Sequence, residues 1–128
     1  MAKALVVDDS KTIRTILKRI LPELGYEVCE AAGGKEALAV IDAEGTSVSL
    51  VLTDWDMPEM DGLDLLKRLR QNPELSLLKI IMVTTETELG RMVSALDAGA
   101  NEYVMKPFIK DILKEKLELI GILTGAME

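Results

Sequence analysis

Residues 48–54 read VSLVLTD, a mostly apolar run that ends at Asp54. Ile80–Val83 is a second run of the same kind. Continuous apolar character over a short run indicates a strand that is buried on both faces, and such strands are typical of parallel sheets covered by helices on each side. The two runs therefore predict an α/β fold in which Asp54 lies just beyond the carboxyl end of a buried strand.

The rest of the chain alternates short apolar runs with longer stretches of helical period. The predicted strands are Ala4–Val7, Tyr26–Cys29, Val48–Leu52, Ile80–Val83 and Tyr103–Met105. In the segments between them, apolar residues recur three and four positions apart, as they do on one face of an amphipathic helix. These helices are predicted within residues 13–24, 35–43, 65–69, 89–96 and 109–120.

The boundaries of the predicted elements agree with this division. Gly25, Gly45 and Gly99 follow the first, second and fourth helices, where a left-handed C-terminal cap favours glycine. Five strands that alternate with five helices predict one α/β domain over residues 1–128, in which a parallel sheet carries helices on both faces.

Composition and charge exclude several classes of function. The chain has 128 residues and a net charge of −7, which argues against nucleic-acid binding because phosphate backbones require a basic surface. Histidine is absent, which removes Ser-His and Cys-His catalysis, histidine metal sites and phosphohistidine chemistry. Cys29 is the single cysteine and is expected to be a small core residue. The N-terminal apolar run is too short for a signal peptide or a membrane span, so we expect a cytoplasmic protein. We also expect it to be a monomer.

Polar residues follow four of the predicted strands. Asp8 and Asp9 follow the first, Asp54 the third, Thr84 the fourth and Lys106 the fifth. In sheets of this kind the carboxyl ends of the strands converge on one crevice. Carboxylates held close together need a compensating cation, and oxygen ligands without imidazole or thiolate favour a hard ion such as Mg²⁺. The sequence therefore predicts a magnesium site at this edge of the sheet.

The same set of groups suits a phosphoryl group carried on a carboxylate. The metal ion, the Lys106 ammonium and the Thr84 hydroxyl could each take one of its oxygens. Taken singly, the residues have ordinary explanations: Asp8–Ser10 and Asp61 are typical helix N-caps, and a lone Lys106 would be a surface lysine. Their occurrence at successive strand ends favours a phosphoacceptor site at Asp54.

These motifs together resemble the response-regulator receiver domain, and within that family the single-domain chemotaxis regulators (CheY-like). The resemblance runs from Leu5 to about Leu123. It rests on Val6–Ser10, Leu52–Pro58, Met60–Gly62, Met82–Thr84 and Tyr103–Phe108. It implies a flavodoxin-like (βα)5 fold, doubly wound, with the strand order 2-1-3-4-5.

The resemblance also implies a role for each site residue. Asp54 would be the phosphoacceptor. Asp9 and Asp54 would bind Mg²⁺ directly, together with the backbone carbonyl of Asp56, while Asp8 would hold it through water. Thr84 would be the switch hydroxyl and Lys106 its ammonium partner.

A switch is implied as well. Tyr103 would be the switch aromatic, whose rotamer follows Thr84 and alters the surface made by the fourth helix, the fifth strand and the fifth helix. The peptide bond between Lys106 and Pro107 is cis in this family, a state that proline makes accessible.

The implied function is that of a two-component phosphorelay response regulator. A sensor histidine kinase, of the chemotaxis type, would supply the phosphoryl group, and a protein target such as a flagellar motor switch component would be bound in trans. The domain would be a signalling module rather than an enzyme, with self-catalysed phosphotransfer and autodephosphorylation.

Asp56 departs from the asparagine that is common at this position in chemotaxis members. A carboxylate there could repel incoming hydroxide and strengthen the cation site. We therefore predict slower autodephosphorylation than an Asp56→Asn variant would show.

Two other kinds of protein share part of this pattern. Asp54-Trp55-Asp56 also resembles the first motif of haloacid-dehalogenase-type phosphatases, but those enzymes place their paired metal carboxylates late in the chain, whereas Asp8 and Asp9 come first here. An EF-hand loop that begins at Asp54 is excluded, because Pro58 occupies its next ligand position and Glu59 its glycine position.

A receiver excised from a longer regulator would look similar, although the Met1 start favours a natural single-domain protein.

Overall fold

Five parallel strands form one sheet in the computed structural model, which describes residues 2–85, 89–106 and 110–121. The strands are β1 (Ala2–Val7), β2 (Tyr26–Ala31), β3 (Val48–Thr53), β4 (Lys79–Thr84) and β5 (Glu102–Met105). The helices are α1 (Lys11–Glu23), α2 (Gly34–Glu44), α3 (Gly62–Arg70), α4 (Leu89–Asp97) and α5 (Lys110–Leu119). The strand order is β2-β1-β3-β4-β5, so the flavodoxin-like doubly wound fold is confirmed.

Each predicted strand is present, and several are longer than predicted. The strands β1, β2 and β4 are each two residues longer, and β2 continues to Ala31 because its last residue pairs with Val7 of β1. The fifth helix was predicted within residues 109–120, and the structure places it at Lys110–Leu119. The first residue of that prediction, Ile109, lies outside the described residues.

The sheet separates two hydrophobic cores, because successive residues of a strand face opposite sides. In β1, Leu5 and Val7 face one core, while Ala4 and Val6 face the other. The first core is covered by side chains of α2, α3 and α4, namely Ala37, Ile41, Leu65, Leu66, Leu69 and Ala95. The second is covered by side chains of α1 and α5, namely Leu17, Leu21, Leu113 and Leu117. This layering explains the uninterrupted apolar runs Leu50–Leu52 of β3 and Ile80–Val83 of β4.

The predicted helix ends and the predicted core cysteine are also found. Gly25, Gly45 and Gly99 all have positive φ angles, of 96°, 59° and 110°, but Gly45 combines its φ with a ψ of −138° and so is not in the left-handed helical conformation. Cys29 is half-buried against the first core rather than fully enclosed, and burial raises the pKa of its thiol. Within the described ranges, no helix is both long enough and apolar enough to cross a membrane.

Candidate functional site

The register of the sheet brings the predicted site residues to one edge. Val7 pairs with Thr53, Thr53 with Met82, and Thr84 with Met105, so the strands end side by side. The backbone hydrogen bonds continue one residue past these ends. The amide of Asp54 donates to the Val7 carbonyl at 2.9 Å, and the amide of Lys106 donates to the Thr84 carbonyl at 2.9 Å.

Three carboxylates meet at this edge. Asp8, Asp9 and Asp54 each offer an oxygen, and these oxygens all lie within 4.8 Å of one another. Asp8 and Asp54 are buried, whereas Asp9 is exposed on the solvent side. An all-oxygen donor set of this charge fits a hard divalent cation such as Mg²⁺, which keeps several of its waters when only a few carboxylates bind it.

Lys106 supplies a positive charge to the same cluster. Its Nζ lies 2.7 Å from Asp8 Oδ2 and 3.3 Å from Asp54 Oδ2, with only 10% of its side chain exposed. Burial by itself would lower the pKa of Lys106, but the hydrogen bond to Asp8 and the charges of both carboxylates more than reverse this, and the pKa is raised. Lys106 therefore remains an ammonium at any physiological pH.

The pKa of Asp54 is raised above its usual range. Burial is the largest cause, the nearby Lys106 ammonium offsets part of it, and the charge of Asp8 adds to it. The carboxylate is thus less stable at this position than in water when no cation is bound. Carboxylates with a pKa perturbed by burial and by neighbouring charges cluster at functional sites.

The backbone that carries Asp54 is held by its neighbours. One carboxylate oxygen, Oδ1, accepts a 2.8 Å hydrogen bond from the amide of Trp55. The amide of Gly62, the first residue of α3, donates to the Trp55 carbonyl at 2.8 Å. A Cβ atom on Gly62 would lie 2.0 Å from the carbonyl oxygen of Asp54, so only glycine permits this approach. The motif Met60–Gly62 contains this glycine, but nothing in the sequence predicts this packing.

Helix capping and site formation use the same residues. Ser10 caps α1 by accepting from the amide of Ile13 at 3.3 Å, and the amide of Ser10 donates to Asp8 Oδ1 at 2.9 Å. The other oxygen of Asp8 faces Lys106. Asp61 caps α3, as predicted, by accepting from the amide of Asp64 at 2.8 Å. Asp8 therefore takes part in both the capping turn and the charged cluster.

The two proposed switch residues lie inside the protein. Thr84 is fully buried at the end of β4, and Tyr103 of β5 is 4% exposed and belongs to the first core. Tyr103 is therefore a core aromatic and not an exposed strand residue. The predicted cis bond before Pro107 lies outside the described residues.

Asp56 has a partner that the sequence did not indicate. Its side chain is 58% exposed and forms an ion pair with Arg91 of α4, with distances of 3.1 and 3.2 Å. The guanidinium carbon of Arg91 also lies 4.7 Å from the centre of the Trp55 ring. The two residues that follow Asp54 are thus both in contact with one side chain of α4.

Comparison with known proteins now identifies the family. The family model for the response regulator receiver domain matches residues 4–118. The chain belongs to the response-regulator receiver family. This receiver is 49% identical over 119 residues to chemotaxis protein CheY1 of Helicobacter pylori, a match that covers 92% of this chain and 95% of that protein. It is 47% identical over 117 residues to the CheY homolog of Campylobacter jejuni, covering 91% of this chain and 89% of that protein.

Solved structures agree with the sequence comparison. The chemotaxis protein CheY4 of Vibrio cholerae matches this receiver with a TM-score of 0.86 and 35% identity, over 94% of this chain and 98% of that chain. The protein is therefore a CheY-type receiver domain of two-component signalling. Membership of this family decides against the haloacid-dehalogenase-type phosphatase, the alternative that the motif around Asp54 left open.

Proposed function

We propose that this receiver is a phosphorylation-controlled switch in which Asp54 accepts a phosphoryl group from a sensor histidine kinase. The observation that carries the proposal is the position of the Asp54 carboxylate, which is buried against Asp8 and Asp9 and lies 3.3 Å from the ammonium of Lys106. A nucleophile that must receive a dianionic group benefits from a fixed cation on one side and a metal site on the other.

The carboxylates divide into two roles toward Mg²⁺. Asp9 and Asp54 would bind the ion directly, with the backbone carbonyl of Asp56, and Asp8 would hold it through water. The two hydrogen bonds that already occupy Asp8, from the Ser10 amide and from Lys106, support this indirect role. When bound, Mg²⁺ would neutralise charge on the phosphoryl oxygens.

The transfer itself requires little of the protein beyond positioning. An oxygen of Asp54 attacks phosphorus while the bond from phosphorus to the donor nitrogen breaks, and the donor leaves with that electron pair. Lys106 stabilises the incoming negative charge, and the buried hydroxyl of Thr84 would donate to a phosphoryl oxygen. Hydrolysis of the resulting acyl phosphate would return Asp54 to its starting state without a second protein.

The output would be a change of surface. Thr84 would move toward the phosphoryl group, and Tyr103, which already lies inward, would be held in that position as a consequence. Supporting evidence comes from the surface formed by α4, β5 and α5, where large hydrophobic side chains are exposed to solvent. They are Leu89, Val93, Leu96, Met105, Ile112 and Leu119. Exposed apolar groups gathered on adjacent elements are typical of a protein-binding site.

The similarity to chemotaxis proteins extends the proposal to the cellular context. We infer a chemotaxis-type histidine kinase as the donor and a target such as a flagellar motor switch component, bound in trans by a monomeric cytoplasmic domain over residues 1–128. The alternative of a receiver that forms part of a larger regulator would keep the same chemistry at Asp54 and change only the output.

The central assignment is tested by labelling with acetyl phosphate, a small phosphoryl donor. We expect Mg²⁺-dependent incorporation of one phosphoryl group in the wild type and none in Asp54→Asn. The exposed Asp42 of α2 offers a matched control, since Asp42→Asn also replaces one carboxylate and should be labelled normally. Label that persists in Asp54→Asn would refute the assignment.

A further inference from the structure

One side chain of α4 contacts both residues that follow the phosphoacceptor. The guanidinium of Arg91 places Nη1 3.1 Å from Asp56 Oδ2 and Nη2 3.2 Å from Asp56 Oδ1. This is the two-pronged geometry that arginine forms with carboxylates. The same group lies over the indole of Trp55, within the distance of a cation–π contact.

The energy of this contact is small. Asp56 is 58% exposed and the Arg91 side chain 26% exposed, and pairs of this kind contribute little to folding. Its position matters more than its strength. Asp56 belongs to the loop that follows Asp54, and Arg91 belongs to α4, which forms part of the proposed output surface.

We propose that Arg91 is a positioning residue for the phosphoacceptor site, which acts by neutralising Asp56 and by holding Trp55 and Asp56 in place. Through this pairing it weakens the attraction of the site for a divalent cation and shortens the lifetime of the phosphoryl group. The part of this inference that concerns phosphoryl lifetime rests on the proposed function of Asp54.

The direction of each effect follows from charge. With Arg91 in place, the carboxylate of Asp56 is largely compensated. In Arg91→Gln that carboxylate, two residues after Asp54, loses its compensating charge, so it attracts Mg²⁺ and repels hydroxide more strongly. Asp56→Asn removes the carboxylate altogether, so Mg²⁺ should bind less tightly and the phosphoryl group should be lost faster than in the wild type.

The first experiment measures Mg²⁺ affinity by titration calorimetry without any phosphoryl donor, in the wild type, both single variants and the double variant. Arg91→Gln is expected to bind Mg²⁺ about two- to fivefold more tightly than the wild type, the range set by exposed ion pairs. In the Asp56→Asn background the same substitution should have little effect, because the carboxylate that Arg91 compensates is gone. An equal effect in both backgrounds, or none in the wild type, would overturn the proposal.

The second experiment uses the single tryptophan of the chain as a reporter in the metal-free protein. Trp55 is 8% exposed, and loss of the guanidinium above it should shift its emission to the red and increase quenching by acrylamide. Arg91→Lys retains the positive charge but not the two-pronged geometry of the guanidinium. Its Mg²⁺ affinity should therefore lie between those of the wild type and Arg91→Gln, while its Trp55 emission should resemble that of Arg91→Gln. Unchanged emission in Arg91→Gln would contradict the positioning role.

A charge control and a lifetime measurement complete the test. Arg68→Gln removes a cation from the exposed face of α3 and should leave Mg²⁺ affinity unchanged. Decay of the phosphoryl group after removal of acetyl phosphate should be slower in Arg91→Gln and faster in Asp56→Asn; the reverse order would overturn the inference. Calorimetry and fluorescence need no phosphoryl donor. They therefore test the positioning role of Arg91 independently of whether Asp54 is the phosphoacceptor.

Discussion

Lys106 Nζ donates a 2.7 Å hydrogen bond to Asp8 Oδ2, although 98 positions separate the two residues in the sequence. This bond joins the end of the fifth strand to the end of the first across the middle of the sheet. The same ammonium lies somewhat further from Asp54. Before any cation binds, Lys106 is therefore the positive charge that holds the carboxylates together.

Replacement of Lys106 should destabilise the cation-free protein. In Lys106→Met two buried carboxylates lose their partner, and we expect the free energy of unfolding to fall by about 2–3 kcal/mol. Urea denaturation without Mg²⁺ measures this change, and added Mg²⁺ should reduce it. Lys110→Met is the matched control, because Lys110 pairs with Glu23 at 3.3 Å on the surface and should matter by less than about 0.5 kcal/mol. Equal losses in the two variants would contradict this account.

Replacement of Asp54 should have the opposite effect on stability. Because burial raises the pKa of Asp54, its ionised form is unfavourable in the folded state. Without Mg²⁺, Asp54→Asn is expected to raise the melting temperature at neutral pH by about 2–6 °C, the shift that about 1 kcal/mol produces in a domain of this size. Stability is exchanged here for function, as is common at such sites.

The pH dependence of this gain has a definite sign. The native protein retains the Asp54 proton to a higher pH than the unfolded chain does, so this group favours folding at low pH. That contribution is lost as the pH rises from the ordinary value of 3.8 through the raised native pKa. The advantage of Asp54→Asn over the wild type should therefore grow across this window and then level off. A constant advantage from pH 3 upward, measured by thermal unfolding, would speak against the raised pKa.

Gly62 should not tolerate even alanine. A Cβ at this position would overlap the carbonyl oxygen of Asp54, which is backbone and cannot move aside without displacing Asp54. We expect Gly62→Ala to lose about 2–4 kcal/mol of unfolding free energy, as overpacked sites do, and to accept phosphate more slowly. Gly90→Ala is the control, since a Cβ there meets nothing within 4 Å. Normal labelling and normal stability in Gly62→Ala would be the contrary result.

Glu59 offers a stabilising substitution. It has a φ of 69°, and the amide of Met60 donates to the Pro58 carbonyl at 2.8 Å, which makes Glu59 the centre of a strained γ-turn. Its ion pair with Lys35 is exposed on both sides and contributes little. Glu59→Gly should raise the free energy of unfolding by about 0.5–1 kcal/mol in urea denaturation. Glu59→Gln keeps the strain and should bring no gain; if it stabilised equally, charge rather than backbone strain would be the cause.

The sequence was sufficient to predict what depends on local pattern. Apolar runs locate strands, strand order follows from the family, and the carboxyl ends of parallel strands must share an edge. For that reason the sequence alone predicts that Asp8, Asp54 and Lys106 lie together. The cap at Asp61 and the positive φ of Gly99 also follow from residue type and position.

Contacts between side chains of different layers could not be predicted in this way. The pair of Asp56 and Arg91 spans 35 positions and depends on where α4 lies over the loop. Arg70 likewise donates hydrogen bonds to the Gly99 carbonyl and to the Asn101 side chain, and no local sequence motif predicts these contacts. Periodicity also identifies apolar positions without showing which are covered: Ile16 belongs to the apolar pattern of α1, yet it is 39% exposed.

The two helices that border β5 belong to different cores. Ala95 of α4 packs on one side of the sheet, and Leu113 of α5 packs on the other. A partner that binds across β5 would therefore contact α4 on one side of the sheet and α5 on the other. A small sliding of one helical layer against the other would change the distance between α4 and α5, while the shape of each helix stays the same. Recognition at this edge, as proposed, would therefore depend on the position of α4 relative to α5.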